Sequence, residues 1–163
     1  MPASDTRIEI QPTEPHLMRY YSGRAVWAET FSSGRLLCNH WSASGQVWPD
    51  YHWQPVRWAF DQPADAFRLS IDQRALAGGY ELVSAGEAPD PSSWRGEGRP
   101  VRHCVVQLSH AAAGVEVAVH TRIDGGPFII RWLEIRNSGT APCAITEAAP
   151  FAGALWNQRI NEH

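Results

Sequence analysis

The stretch DGGPFIIRWLEIRNSGTAPCAI, residues 124–145, holds a strand pattern between two turn signals. Ile129, Leu133 and Ile135 stand at odd positions of the central run, and such period-two spacing is typical of a strand that buries one face. DGGP precedes this run and NSG follows it, and glycine permits the positive φ that tight turns require. The stretch therefore predicts a β-strand between two turns, with the three apolar side chains in a core.

The same two signals, alternation and turn chemistry, recur along most of the chain. They predict further strands at residues 6–10, 24–31, 35–41, 67–71, 80–83, 101–110, 114–123, 128–136 and 143–146, with a hairpin turn at Ser32-Ser33-Gly34. No helical periodicity lasts long enough to compete, and hairpin spacing without intervening helices argues against parallel βαβ units. We predict an all-β fold in which two antiparallel sheets pack face to face.

The bulk composition indicates one globular domain and excludes several classes of partner. A chain of 163 residues matches the roughly 100–200 residues of a typical domain. Hydrophobic residues make up 44% and charged residues 19%, as in folded rather than disordered chains. The net charge of -3 and the absence of a basic patch argue against nucleic acid as a partner. No apolar run approaches the ~20 residues of a membrane span, so no membrane partner is expected.

The cysteines and the N-terminus predict a cytoplasmic protein. The three cysteines, Cys38, Cys104 and Cys143, are odd in number and widely spaced, without a CxxC pair. Such spacing does not suit a disulfide framework, and reduced thiols are typical of the cytosol. The first fifteen residues contain no apolar run of the kind that a signal peptide needs.

Residues 40–58, HWSASGQVWPDYHWQPVRW, form the densest aromatic segment of a chain that contains eight tryptophans. Flat aromatic rings stack on the C–H faces of sugars, and interleaved polar side chains can hold the hydroxyl groups. The candidate substrate-binding residues are Trp48, Tyr51, His52 and Trp53. Two other interpretations remain open, because tryptophan also dominates protein cores and interfaces. In one, the rings fill the sandwich core or a domain interface. In the other, they form a contact in a homo-oligomer.

No residue pattern points to a metal site, a cofactor or a catalytic centre. His103, His110 and His120 fall on different predicted strands, and no HxH or HExxH pattern is present. No GxSxG motif marks a nucleophile, and nothing marks a pair of carboxylates that could flank a glycosidic bond. We therefore predict no metal ligands, no cofactor and no catalytic residues in this chain.

Two segments together resemble the N-terminal β-supersandwich domain of α-galactosidases and their relatives in glycoside hydrolase family 36. The first is FRLSIDQRALAGGYELVSA, residues 67–85, and the second is the long run of residues 101–156. The second segment contains the landmarks Asp124, Pro127, Arg131, Asn137 and Gly139. The resemblance covers somewhat over half of the chain, and its motifs are packing and turn motifs.

The resemblance implies a supersandwich of the galactose mutarotase-like type, followed in the family by a (β/α)₈ barrel that holds both catalytic aspartates. None of the family's catalytic motifs maps onto this sequence. We therefore expect residues 1–163 to be a single β-sandwich domain, the N-terminal part of a larger glycoside hydrolase. Its role would be to pack on the missing catalytic barrel, and to shape a galactoside pocket or support a homo-oligomer.

Two other functions remain open from the sequence. A free-standing carbohydrate-binding module would use the same aromatic segment to bind galactosides without a barrel. A small sugar epimerase of mutarotase-like fold would need a paired acid and base, which the sequence does not identify.

Overall fold

The computed structural model describes residues 6–42, 64–91 and 100–152. In these ranges the chain is almost entirely antiparallel strand, and their one helical element is a 3-10 turn, Ala111–Ala113. The prediction of an all-β antiparallel sandwich is therefore confirmed. Within the same ranges, no helix has the length and apolar character that crossing a membrane requires.

Most predicted strands are present with bounds shifted by one or two residues. The strand predicted at 80–83 continues to Glu87, the one predicted at 143–146 is Ile145–Ala149, and three observed strands have no predicted counterpart. The strands are β1 (Thr6–Gln11), β2 (His16–Ser22), β3 (Ala25–Ser32), β4 (Arg35–Ser42), β5 (Ala64–Asp65), β6 (Arg68–Ile71), β7 (Arg74–Ala75), β8 (Glu81–Glu87), β9 (Arg102–His110), β10 (Val115–Ile123), β11 (Ile129–Asn137) and β12 (Ile145–Ala149). The sequence pattern does not single out β2. Its side chains Met18, Tyr20 and Ser22 are fully buried in alternation, but Tyr21 between them is buried too.

The strands form two larger sheets and one small one. The first sheet has the order β1-β2-β3-β4-β5, the second β11-β10-β9-β8, and a small third sheet β12-β6-β7. The predicted hairpin turn between β3 and β4 is confirmed, with Ser33 and Gly34 at φ of 50° and 73°. In the second sheet every residue of β10 pairs with both β9 and β11, so the register at the centre of this sheet is continuous.

One core joins the facing sides of the sheets. The side chains of this core are buried and stand at every second position of their strands, because successive side chains of a strand point to opposite faces. Fully buried examples are Met18 and Tyr20 of the first sheet, Leu69 of the third, and Val106, Leu108, Val117 and Val119 of the second. Ile129, Leu133 and Ile135 are only partly buried and pack against this core, so the predicted core face of β11 is correct in direction.

The turn between β2 and β3 contacts the turn between β10 and β11. Ser22 Oγ donates to the Gly126 carbonyl at 2.8 Å and accepts from the Gly125 amide at 3.2 Å. Gly23, at φ +59°, lies so close that an added Cβ would stand 2.8 Å from the Gly125 carbonyl oxygen. Asp124 Oδ1 accepts from the Gly126 amide at 2.8 Å, which confirms its predicted role as a turn residue. This contact ties the first sheet to the second at one end of the sandwich.

Candidate functional site

The predicted sugar-binding residues Trp48, Tyr51, His52 and Trp53 lie outside the described residues, and their role stays a prediction. The described residues instead contain two polar clusters that the sequence pattern does not mark. One is a buried ion pair in the core, and the other is a histidine cluster on the outer side of the second sheet. Within the described ranges, no three His, Cys, Asp or Glu side chains are grouped to hold a metal ion.

The core ion pair joins Glu29 of β3 to Arg131 of β11. Arg131 Nη2 lies 2.7 Å from Glu29 Oε2, and both side chains are 0% exposed. Arg131 Nη2 and Nε have no hydrogen-bond partner among the described residues, so the contact is an ion pair without a hydrogen bond. An ion pair removed from water in this way loses hydration that its mutual attraction must offset. The pair therefore depends on the polar groups packed around it.

Three hydrogen bonds complete this core cluster. The Tyr20 hydroxyl donates to Glu29 Oε1 at 2.8 Å, and Trp27 Nε1 donates to Glu29 Oε2 at 3.1 Å. Arg131 Nη1 donates to Thr121 Oγ1 at 3.3 Å. The guanidinium carbon also lies 5.2 Å from the Trp27 ring centroid, within the range of a cation–π contact. Both oxygens of the carboxylate are thus satisfied inside the core.

The groups beside the ion pair are held in their protonated, unreactive forms. Burial, with a further contribution from Glu29, raises the pKa of Tyr20 well above its ordinary value. Burial likewise raises the pKa of the Cys104 thiol to about 11, and its Sγ lies 3.6 Å from the Tyr20 hydroxyl. Only a thiolate acts as a nucleophile, so Cys104 does not suit covalent catalysis. This cluster links the two larger sheets and is closed to substrate.

The outer cluster is built from His103 of β9, His120 of β10 and two residues of β11, Trp132 and Glu134. His120 follows the core residue Val119, and successive strand residues point to opposite faces. His103 Nε2 lies 3.0 Å from His120 Nδ1, and His103 Nδ1 lies 2.9 Å from the Pro89 carbonyl oxygen. The sequence pattern separates these histidines onto two strands, and only the register of β9 and β10 brings them into contact.

Trp132 covers the histidine pair. The two imidazole planes are within 7° of each other, and the indole stacks on both at centroid distances of 5.2 and 4.7 Å. Glu134 Oε2 lies 3.4 Å from His120 Nε2. The pairing of His120 with Trp132 across β10 and β11 explains the stack, since paired side chains lie on the same face of the sheet. The result is two buried imidazoles on an outer sheet face.

His120 is expected to make stability fall on acidification. Burial, and then the neighbouring His103, lower the pKa of His120 from its usual value. The pKa of His120 in the folded state lies below its unfolded-state value of about 6.5, so the unfolded state takes up a proton first as the pH falls. The free energy of unfolding is therefore highest above pH ~6.5 and decreases until the pH reaches the folded-state pKa. Urea unfolding at a series of pH values should show a shallower loss below pH ~6.5 in His120→Gln than in the parent. Identical slopes for parent, His120→Gln and the control His16→Gln would contradict this assignment.

His110, the third histidine that the sequence places on a predicted strand, has a structural role. His110 Nε2 lies 3.0 Å from the Gly78 carbonyl oxygen, and its Nδ1 accepts from the Ala113 amide at 3.1 Å. The ring also packs edge-on against Tyr80, with centroids 5.0 Å apart. Both nitrogens are thus used to hold the β9–β10 connection and the loop before β8.

The architecture defines a class, that of all-β antiparallel sandwiches. Similar solved structures include two of the α-galactosidase AgaA from Geobacillus stearothermophilus, a family 36 enzyme. One is a variant in complex with 1-deoxygalactonojirimycin, with a TM-score of 0.52 at 15% identity. The other has a TM-score of 0.51 at 16% identity. The predicted resemblance to family 36 is confirmed at the level of the fold.

The likeness covers most of this chain and a minor part of the enzyme. It spans 76% of this chain and 22% of the AgaA chain in both cases. No protein-family model matches the sequence, and no curated protein matches it either. The fold is thus shared with one region of a larger α-galactosidase.

Proposed function

We propose that this chain is a non-catalytic β-sandwich domain of an α-galactosidase-like glycoside hydrolase. It packs on a catalytic barrel and shapes the sugar pocket or the oligomer. The observation that carries the proposal is the fold likeness to about a fifth of an α-galactosidase chain. In an enzyme of that length, a domain of this size leaves the rest of the chain for a catalytic domain.

The surface of β11 supports a packing role. β11 is an edge strand of the described second sheet. Phe128, just before this strand, and Ile130, within it, are exposed, Phe128 at 73%. Contiguous exposed apolar side chains are typical of surfaces that another domain or subunit covers. We include a cytoplasmic location in the proposal, because Cys104 is buried as a protonated thiol and reduced thiols are typical of the cytosol.

The sugar-contact part of the proposal rests on Trp48, Tyr51, His52 and Trp53. Aromatic side chains with a polar edge combine a stacking surface with a hydrogen-bonding group. In the complete enzyme these residues would border the galactoside pocket from outside the barrel. Their replacement by alanine should therefore raise KM more than it lowers kcat.

The purified 163-residue chain is expected to show no turnover of an aryl α-galactoside above the buffer rate. The described polar clusters are either closed in the core or lack paired carboxylates placed across a substrate. The measurement is release of the aryl group over hours at high protein concentration, with an intact family 36 α-galactosidase as the positive control. Sustained turnover by the chain alone would overturn the non-catalytic assignment.

The reading frame beyond His163 separates a domain of an enzyme from an independent module. We expect it to continue into a barrel, and the longer protein to hydrolyse the aryl α-galactoside. A stop codon at that point, together with calorimetric binding of galactose that is lost in Trp48→Ala and Trp53→Ala, would instead establish a free-standing carbohydrate-binding module.

A further inference from the structure

The hydrogen bonds of the outer cluster determine which histidine nitrogens carry protons. The Pro89 carbonyl can only accept, so the Nδ1 atom of His103, at 2.9 Å, is the donor. In the neutral ring, Nε2 of His103 is then the acceptor, and Nδ1 of His120 at 3.0 Å must donate to it. The remaining nitrogen, His120 Nε2, is left as an unprotonated lone pair in the neutral pair.

This lone pair faces a second acceptor. His120 is 8% exposed, and its Nε2 is buried without a hydrogen-bond partner among the described residues. Glu134 Oε2 lies 3.4 Å from this nitrogen, and a carboxylate oxygen is a hydrogen-bond acceptor. Two acceptors placed side by side repel each other unless a cation or a donor binds both. The arrangement therefore has the form of a ligand site.

We propose that His120 Nε2 and Glu134 Oε2 bind a divalent cation of the zinc type. Zinc–nitrogen and zinc–oxygen bonds of about 2.1 Å at a tetrahedral angle place the two ligand atoms about 3.4 Å apart. The observed separation of these two atoms is 3.4 Å. Imidazole nitrogen and carboxylate oxygen are both ligands that zinc takes. The chain supplies two of the four ligands of a tetrahedral site, and water molecules would supply the other two.

The surroundings of His120 match those of metal-bound histidines. Such a histidine almost always donates its other ring N–H to an acceptor, which orients the ring and makes the ligand nitrogen more basic. Here that acceptor is His103, which is itself anchored to the Pro89 carbonyl. The stacked indole of Trp132 holds both rings in one plane. His103 is thus a positioning residue, whereas His120 and Glu134 are the ligands.

The charges around the pair leave it available to a cation. Arg122, the nearest outward-facing cation of β10, is paired through Nε with Asp90 at 3.0 Å. Farther along the same face, Glu116 pairs with Arg136 at 3.5 Å. The Glu134 side chain is 75% exposed, so it gives an ion a route from solvent to the buried nitrogen. A sugar hydroxyl satisfies the two acceptors less well, because it brings no positive charge to a site that contains a carboxylate.

Zinc chloride alone, titrated calorimetrically into the metal-free chain at pH 7.5, is the test. We expect one zinc per chain, bound at least tenfold more weakly by Glu134→Gln and by His120→Asn. The matched controls Glu116→Gln, on the same sheet face, and His16→Gln should bind as the parent does. His103→Gln, which keeps both ligands, should weaken binding about 10–100-fold. Because Glu134 is a surface residue, its variant reports on the ligand without a change in folding.

Three results would overturn the site. One is that Glu134→Gln binds zinc with the same affinity as the control Glu116→Gln. Another is a visible spectrum of the Co²⁺ complex that His120→Asn leaves unchanged. The third is that zinc gives no heat, while galactose binds to the parent and not to Glu134→Gln. That result would show that His120 Nε2 and Glu134 Oε2 accept a hydrogen bond from a sugar hydroxyl. None of these measurements uses glycoside turnover, so they test the zinc site independently of the proposed function.

Discussion

Replacing Arg131 with methionine should lower the free energy of unfolding by about 3–5 kcal/mol, because it leaves the Glu29 carboxylate charged, buried and without its ion-pair partner. Both side chains of the pair are 0% exposed, and their closest atoms are 2.7 Å apart. Urea denaturation at pH 7 measures the change. Two hydrogen bonds from Tyr20 and Trp27 to Glu29 remain in the variant, but they do not neutralise the charge.

Arg136→Met is the matched control for this substitution. Arg136 belongs to the same strand, but its side chain is 74% exposed and its pair with Glu116 is a surface pair. Such pairs contribute about 0–1 kcal/mol. The double variant Glu29→Met with Arg131→Met should recover much of the loss, since two apolar side chains leave no uncompensated charge. Equal stability losses in Arg131→Met and Arg136→Met would contradict the importance of the buried pair.

Gly23→Ala should destabilise the fold at the contact between the two turns. Gly23 adopts a φ of +59°, where a side chain costs about 1–2 kcal/mol. The new Cβ would also stand 2.8 Å from the Gly125 carbonyl oxygen, a backbone atom that cannot move aside alone. We therefore expect a loss larger than the conformational cost alone, with weakened hydrogen bonds from Ser22 to the Gly125-Gly126 turn.

Gly86→Ala tests whether the loss in Gly23→Ala comes from the site rather than from the residue type. Gly86 lies in strand β8, its φ is not positive, and an added Cβ would meet nothing within 4 Å. Alanine there should be neutral or stabilising by about 0.4–1 kcal/mol, because it restricts the unfolded chain. Thermal unfolding of both variants gives the comparison. A Gly23→Ala protein as stable as the parent would show that the turns do not need this close approach.

Strand content was predictable because its signals are local. The period-two spacing of Val115, Val117 and Val119 defines one face of β10 within a few residues of sequence, and all three are fully buried. Turn chemistry is equally local, as the Ser33-Gly34 turn shows. β2 was not predicted because its apolar and aromatic residues do not alternate strictly with polar ones, and Tyr20 and Tyr21 are both buried although they are neighbours.

The predicted and observed candidate sites have different origins. The predicted site at Trp48, Tyr51, His52 and Trp53 rests on composition within one segment, and it stays a prediction. The observed clusters depend on residues far apart in sequence. Odd-position spacing in β11 does place Arg131 on the core face with Ile129 and Leu133, and this was the one available signal that its charge would need a buried partner.

The sequence by itself determined that this protein is an all-β antiparallel sandwich, because alternation and turn residues act over a few positions. Tertiary structure alone decided which polar groups meet. Glu29 contacts Arg131 across the core, 102 residues later in the chain, and strand register brings His120 between His103 and Glu134. A shift of one residue in that register would turn His120 into the core and separate the cluster, since neighbouring strand positions face opposite sides. The physical reason is that register and sheet packing are set by the whole core, which no single segment of the sequence contains.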